Sequence, residues 1–139
     1  MIQEQVFPYI PQRPPFVMID EVLSATETSS VCSFTIRTGH QFVENGVFTE
    51  PGLVENMAQT AAAGTGYFAA QQGNAAPVGF IGALKGLQIM ELPKVGDTIV
   101  TTITFIHQIM NAHIVQGVVN LNDKQIATCE LKIFLQSET

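Results

Sequence analysis

Glu55 is the carboxylate whose neighbours most clearly suggest acid–base chemistry. Gln59 follows it by four residues, so on a helix the two side chains would lie on the same face. A carboxyl group positioned in a pocket can give up or accept a proton during a reaction. The same residue could instead be a solvated glutamate that stabilises the positive end of a helix dipole. The residues alone leave both interpretations open.

The three histidines are the natural candidates for a base, because imidazole titrates near neutral pH. His40 lies in a loop before Glu55, whereas His107 and His113 flank a predicted hairpin, where histidines are typically amphipathic surface residues. No histidine stands at metal-ligand spacing from cysteines or carboxylates, so we expect no metal and no cofactor. Cys32 and Cys129 fall on the inward period of their strands, which indicates buried structural thiols.

One long helix is predicted to carry Glu55. Pro51 suits a first helical turn, and apolar or small residues recur at helical spacing from Leu53 until Gln71–Asn74, a span of about 20 residues. The stretch from Ala61 to Gly66 is small on every face, although each interior glycine costs about 1 kcal/mol relative to alanine. Small residues on every face would allow other backbone to approach closely on all sides. This pattern therefore favours a helix enclosed by a curved sheet.

Strands are predicted on both sides of this helix. The period-two pattern is clearest near the C-terminus, where Cys129, Leu131 and Ile133 alternate with polar residues. Asn122–Lys124 has the chemistry of a hairpin turn. The predicted strands are Phe16–Leu23, Ser30–Arg37, Val78–Met90, Thr98–His107, Ala112–Leu121 and Ile126–Gln136, with Gln3–Pro15 as an ordered lead-in and Thr38–Glu50 as an irregular loop.

This order of elements predicts an α+β hotdog fold, in which an antiparallel β-sheet wraps around one long central helix, as a single domain over residues 1–139. Hydrophobic residues make up 46% of the chain and charged residues only 13%, so part of the surface should be buried in an oligomer. A net charge of −6 with scattered basic residues argues against nucleic acid. The sequence has no membrane-spanning apolar run and no signal peptide, so a cytoplasmic location is expected.

Three segments resemble the β-hydroxyacyl-[acyl carrier protein] dehydratases. Ile10–Val22 is similar to the family's Leu-Pro-His-Arg-x-Pro-Phe opening, Pro51–Gln59 to its Pro-Gly and Glu-Ala-Met-Ala-Gln helix start, and Val95–Asp97 to its Pro-Gly-Asp turn. The divergent dehydratase-like branch of aryl-polyene biosynthesis is more similar still, through its Pro-x-Arg-x-Pro opening, its shortened loop and its Met-Ala-Gln helix. That branch is thought to pair with an intact dehydratase subunit.

The resemblance implies removal of water from a 3-hydroxyacyl thioester, with a histidine as base and a carboxylate across the subunit interface as acid. Glu55 matches the carboxylate and Gln59 the family's glutamine, while Gly52 and Leu53 would offer N–H groups to the thioester carbonyl. The apolar tunnel is expected to include Phe42, Phe48 and Phe80. The family's histidine turn is missing here, and His40 is the residue nearest to its place when the spacing is counted without gaps.

Three functions remain open at this stage. The chain could be a 3-hydroxyacyl-[acyl carrier protein] dehydratase, or a catalytically incomplete subunit that completes a partner's active site, or a hotdog acyl thioesterase. The expected partners are an acyl carrier protein thioester and a second hotdog subunit, in a homodimer or in a heterodimer with another dehydratase. Acyl carrier proteins are acidic, so the acidic charge of this chain favours a partner subunit with a basic face.

Overall fold

The computed structural model describes residues 4–75 and 79–135. In chain order its elements are β1 (Glu4–Gln5), a 3-10 turn (Phe7–Tyr9), β2 (Glu21–Ala25), β3 (Ser29–Thr35), β4 (Val43–Glu44), β5 (Val47–Phe48), α1 (Glu50–Gln71), β6 (Gly79–Ile89), β7 (Thr98–Ile109), β8 (Ala112–Leu121) and β9 (Lys124–Leu135).

Seven of the described strands form one antiparallel sheet in the order β1-β2-β3-β7-β8-β9-β6. The helix α1 contacts strands across nearly the whole width of this sheet, from β2 to β6. A sheet that touches one helix along its full width must curve around it. The predicted hotdog fold is therefore confirmed, and the long helix begins and ends within a residue or so of its expected bounds.

The structure differs from the predicted elements at two places near the N-terminal side of the helix. β2 begins at Glu21 rather than Phe16, because the backbone of the preceding residues bonds to helix side chains instead of a strand. The predicted loop contains a short hairpin, β4–β5, whose turn residues Asn45 and Gly46 have φ values of 53° and 77°. Two successive positive φ values are typical of a tight hairpin turn, and Asn-Gly is its usual sequence.

The main core lies between α1 and the concave face of the sheet. Leu53 and Met57 project from the helix into it and are fully buried, together with Ile99, Ile103 and Val115 from the central strands. The Asn122 turn between β8 and β9 has a φ of 57°, as the hairpin prediction requires.

Only part of the helix surface is enclosed by backbone. A Cβ at Gly66 would overlap the carbonyl oxygen of Tyr9, and a Cβ at Gly64 would overlap the Ser30 side chain, so both glycines are needed for close approach. On another face Ala58 and Ala62 are only half-buried. The expectation of a helix enclosed on every side is therefore correct for one face and wrong for the other, where the small side chains leave open space.

No helix in the ranges 4–75 and 79–135 is both long enough and apolar enough to cross a membrane.

Candidate active site

Glu55 lies in the second turn of α1 and is half-buried. Its Oε1 accepts a hydrogen bond of 3.1 Å from Nε2 of Gln59, one helical turn further along. The predicted pair on one helix face is thus present. The bond restricts the rotamers of the Glu55 carboxylate, which is what an acid–base group needs in order to meet a substrate in a fixed geometry.

Gln59 is itself held by the segment that precedes β2. Its Oε1 accepts from the Met18 N–H at 2.7 Å, and its Nε2 donates to the Phe16 carbonyl at 2.8 Å as well as to Glu55. Asn56, fully buried, donates to the Met18 carbonyl at 2.7 Å and accepts from the Thr101 hydroxyl. Two amide side chains of α1, those of Asn56 and Gln59, therefore hold this segment against the helix. Gln59 also donates to the Glu55 carboxylate.

A cavity of about 230 Å³ opens beside Glu55. One wall is a single face of α1, formed by Glu55, Ala58, Ala62 and Thr65, which recur at helical spacing. The remaining lining residues are Ala61, Gln12, Gly79, Phe80, Ile81, Phe105, His113 and Ile133. The small side chains of Ala58 and Ala62 do not fill the space between this face of the helix and the sheet, and the cavity occupies it.

The predicted tunnel residues fall into two groups. Phe80, 59% exposed, lines the cavity with Glu55. Phe48 is fully buried in the core against Gly52, where a Cβ would overlap its ring. Phe42 packs on the edge of that core, and its carbonyl accepts from the Thr49 N–H and hydroxyl, both at 2.9 Å. Neither Phe42 nor Phe48 borders the cavity.

The two residues expected to bind the thioester carbonyl lie at the first turn of α1. Gly52 and Leu53 are both buried and are not among the cavity's lining residues. The Leu53 N–H donates to the Thr49 carbonyl at 3.2 Å. This N–H group is therefore engaged within the helix start and does not face the Glu55 cavity.

His40 lies outside the cavity and is bonded through both ring nitrogens. Nδ1 accepts from the Phe42 N–H at 3.2 Å, and Nε2 lies 3.3 Å from the Val17 carbonyl, an arrangement that fits the neutral tautomer with its proton on Nε2. Its ring packs edge-on against Phe34 and Phe48, with centroids 5.7 Å and 5.8 Å apart. The structure does not bring His40 and Glu55 together within this chain.

His113, predicted from the sequence to be an amphipathic surface residue at a hairpin end, lines the cavity together with Glu55. It projects from β8, where its ring packs edge-on against Phe105 with centroids 6.0 Å apart, and burial lowers its pKa. The alternation Val115, Gly117, Val119 toward the core could have indicated that His113 faces inward.

Both cysteines are buried, as predicted. Burial raises the pKa of the Cys32 thiol to about 12 and also raises the pKa of Cys129, so neither thiol is activated as a nucleophile. Among residues 4–75 and 79–135, no group of three or more histidine, cysteine or acidic side chains is arranged to hold a metal ion.

A single central helix wrapped by an antiparallel sheet, with a helix carboxylate beside a largely apolar cavity, defines a hotdog protein. A family model described as ApeP dehydratase matches residues 4–139. The chain belongs to this ApeP-like family. A search of curated proteins found no match.

Solved structures with the same fold include both dehydratases and thioesterases. The dehydratase heterocomplex ApeI:P from Xenorhabdus doucetiae is similar with a TM-score of 0.89 at 16% identity, over 96% of this chain and 92% of that one. A hypothetical thioesterase with coenzyme A from Streptococcus pneumoniae gives 0.67 at 9% identity, over 85% and 86%. The E. coli PaaI protein of the phenylacetic acid degradation operon gives 0.64 at 18%, over 81% and 80%.

Proposed function

We propose that this chain is a dehydratase subunit for 3-hydroxyacyl thioesters on an acyl carrier protein, supplying the acid and the acyl-binding cavity while a partner hotdog subunit supplies the base. The observation that carries the proposal is the position of Glu55, a half-buried carboxylate oriented by Gln59 at the side of an apolar cavity. Membership in the ApeP-like family supports the reaction class.

In the proposed step, a base on the partner removes the proton next to the thioester carbonyl. The carbon–oxygen bond at the third carbon breaks, and the departing hydroxyl takes a proton from Glu55, so that water and a 2-enoyl thioester result. Glu55 is left as the carboxylate and regains its proton when the base transfers one back through solvent. General acid catalysis of this kind is worth about 100- to 10,000-fold in rate.

Among the described residues no histidine forms a hydrogen bond with Glu55, which supports a shared site. His40 is bonded to Phe42 and Val17, and the His113 ring packs against Phe105. The X. doucetiae neighbour is a heterocomplex of ApeI and ApeP. A partner similar to that ApeI subunit would complete the site.

The edge of the sheet is where such a partner would join. β6 is the last strand in the sheet order, and three of its residues, Gly79, Phe80 and Ile81, line the cavity. A strand added to this edge would pair with free backbone groups and cover the exposed side of the cavity. We therefore propose a dimer, homomeric or with a second hotdog subunit, joined through β6.

The test is turnover of a 3-hydroxyacyl thioester by the chain alone and with an ApeI-type subunit, followed by the absorbance of the enoyl thioester. Little turnover is expected from the chain alone. Glu55→Gln should lower turnover by the complex at least 100-fold, whereas Glu44→Gln, on the exposed hairpin, should leave it unchanged.

Two outcomes would contradict the proposal. If the Glu55→Gln complex retains full turnover, Glu55 is not the acid. If wild-type protein instead releases free thiol and free acid without forming the enoyl product, the chain is a thioesterase, the activity named for one of the structural neighbours.

A further inference from the structure

A second cavity, of about 300 Å³, adjoins the cavity of Glu55. The two cavities have three lining residues in common, Thr65, Phe105 and His113. Each of these three residues is only half-buried, so each keeps surface that faces open space. The shared residues therefore form a junction between two neighbouring open spaces rather than a sealed wall of the core.

The helix α1 runs along both cavities. Glu55 and Ala62 line the first cavity, and Phe68 lines the second. Glu55 and Phe68 are thirteen positions apart, which corresponds to about 20 Å along the helix axis. An extended hydrocarbon chain advances about 1.25 Å per bond, since its bonds of about 1.5 Å meet at a near-tetrahedral angle. A ligand that follows the helix past both cavities is thus a chain of about 16 bonds.

The junction presents an uncharged surface to such a chain. The rings of Phe105 and His113 pack edge-on there, with centroids 6.0 Å apart. Burial lowers the pKa of His113, which favours the neutral imidazole. The Thr65 hydroxyl donates to the Ala61 carbonyl at 3.1 Å, so its proton is already bonded within the helix. An apolar chain can therefore pass these side chains without burying a charge.

Part of the lining of the second cavity is polar and exposed to solvent. This polar rim consists of Thr26, Glu27, His107 and Gln108. The Thr26 hydroxyl oxygen accepts from the N–H groups of Thr28 and Ser29, at 3.2 Å and 3.0 Å, and the Phe105 N–H donates to the Thr28 carbonyl at 2.8 Å. These bonds hold the β2–β3 turn against β7. The first cavity, by contrast, is lined largely by alanines, phenylalanines and isoleucines.

We propose that the two cavities form one groove for long acyl chains, which begin beside Glu55, pass Phe105 and His113, and end at the polar rim in contact with water. This inference rests on the proposed dehydratase function, because it takes the acyl thioester as the ligand. A groove that ends in solvent accepts a polar group at the end of a long chain, since that group stays hydrated. The same group on a short chain would be buried in the first cavity, which is unfavourable.

The test is calorimetry on the full chain with nonreactive pantetheine analogues in which an amide replaces the thioester. Their saturated acyl chains have eight, twelve or sixteen carbon atoms, and each length is made with a terminal methyl and with a terminal hydroxyl group. Affinity for the methyl-ended analogues should rise about twofold per added carbon up to sixteen, because each methylene is partly buried. A terminal hydroxyl should weaken the eight-carbon analogue by about tenfold and the sixteen-carbon analogue by less than about twofold.

Two variants examine the second cavity separately from the first. Phe68→Ala removes apolar surface from the second cavity alone, so it should weaken the sixteen-carbon analogue by about fivefold and leave the eight-carbon analogue unchanged. Phe7→Ala, at an exposed phenylalanine outside both cavities, is the matched control and should change neither. If Phe68→Ala unfolds, as judged by thermal melting, Gln108→Trp on the polar rim replaces it and should weaken only the longest analogue.

The remaining outcomes each contradict the inference. If affinity stops rising after eight carbons, the chain ends in the first cavity, and the inference fails while the proposed function stands. If the terminal hydroxyl weakens the sixteen-carbon and eight-carbon analogues equally, the chain does not end in solvent. If Phe68→Ala affects all lengths alike or none, the long chain does not occupy the second cavity. If wild-type protein binds no analogue, the proposed function and the inference fail together.

Discussion

At the scale of single residues, the site depends on a chain of amide contacts. The Glu55 carboxylate is oriented by Gln59, and Gln59 is oriented by the backbone at Met18 and Phe16. A glutamine that satisfies two backbone groups and one carboxylate has little freedom left. Its main role in this chain is to position Glu55 and to fasten the segment before β2, alongside Asn56.

Replacing Gln59 tests this role. Gln59→Met would leave the Met18 N–H and the Phe16 carbonyl without their partner, and each buried unsatisfied group costs about 1 to 3 kcal/mol. We expect the free energy of unfolding in urea to fall by about 2 to 4 kcal/mol. Gln72→Met, at the exposed position just after α1, is the matched control and should change the free energy of unfolding little. If the two variants changed the free energy of unfolding equally, the hydrogen bonds of Gln59 would not stabilise the fold.

At the scale of elements, α1 has two functional faces made from similar small residues. Gly64 and Gly66 permit contact with β3 and with the lead-in segment, while Ala58 and Ala62 leave the cavity open. Ala63, next to Ala62, is fully buried against the apolar residues of the lead-in and β2. A small side chain is thus needed at position 63 for close packing, whereas at position 62 it leaves room for the cavity.

Enlarging these two alanines separates the roles. Ala63→Leu should overpack its cluster and lower the free energy of unfolding by about 1 to 3 kcal/mol. Ala62→Leu should project into the cavity, change stability by less than about 1 kcal/mol, and weaken binding of an acyl analogue. Urea denaturation and calorimetry on both variants provide the measurements. An Ala62→Leu variant with full acyl affinity would contradict acyl binding in this cavity.

At the scale of the whole molecule, the sheet ends in an exposed and apolar edge strand. Phe80 and Leu84 of β6 are 59% and 44% exposed, and the chain has few charged residues with which to protect such an edge. Edges of this kind pair readily with another strand. The low charge fraction and the exposed edge together favour an assembly through β6.

Light scattering tests this assembly. We expect the chain to run as a dimer, or to form one with a hotdog partner, at micromolar concentration. Leu84→Asp should weaken that dimer because it places a charge on the proposed interface. Met110→Asp changes the tip of the β7–β8 hairpin, which is 89% exposed, and should leave the dimer intact. A wild-type chain that stays monomeric both alone and with the partner would rule out the interface.

The helix, the strands and the β8–β9 turn could be predicted because they depend on local patterns in the sequence. Helical spacing after Pro51 located α1, period-two alternation located the strands, and turn chemistry located the Asn122 hairpin. Each of these signals arises between residues a few positions apart, where backbone geometry fixes which side chains share a face. The pairing of Glu55 with Gln59 was predictable for the same reason.

Contacts between residues far apart in the sequence could not be predicted in this way and depend on the folded structure. Gln12 and His113 line the cavity of Glu55, whereas His40 is bonded to Val17 and Phe48 is packed in the core. These positions depend on how the lead-in segment crosses α1 and on how β8 lies in the sheet. No local period encodes such contacts, because the distance between two side chains far apart in sequence is set by the packing of whole elements.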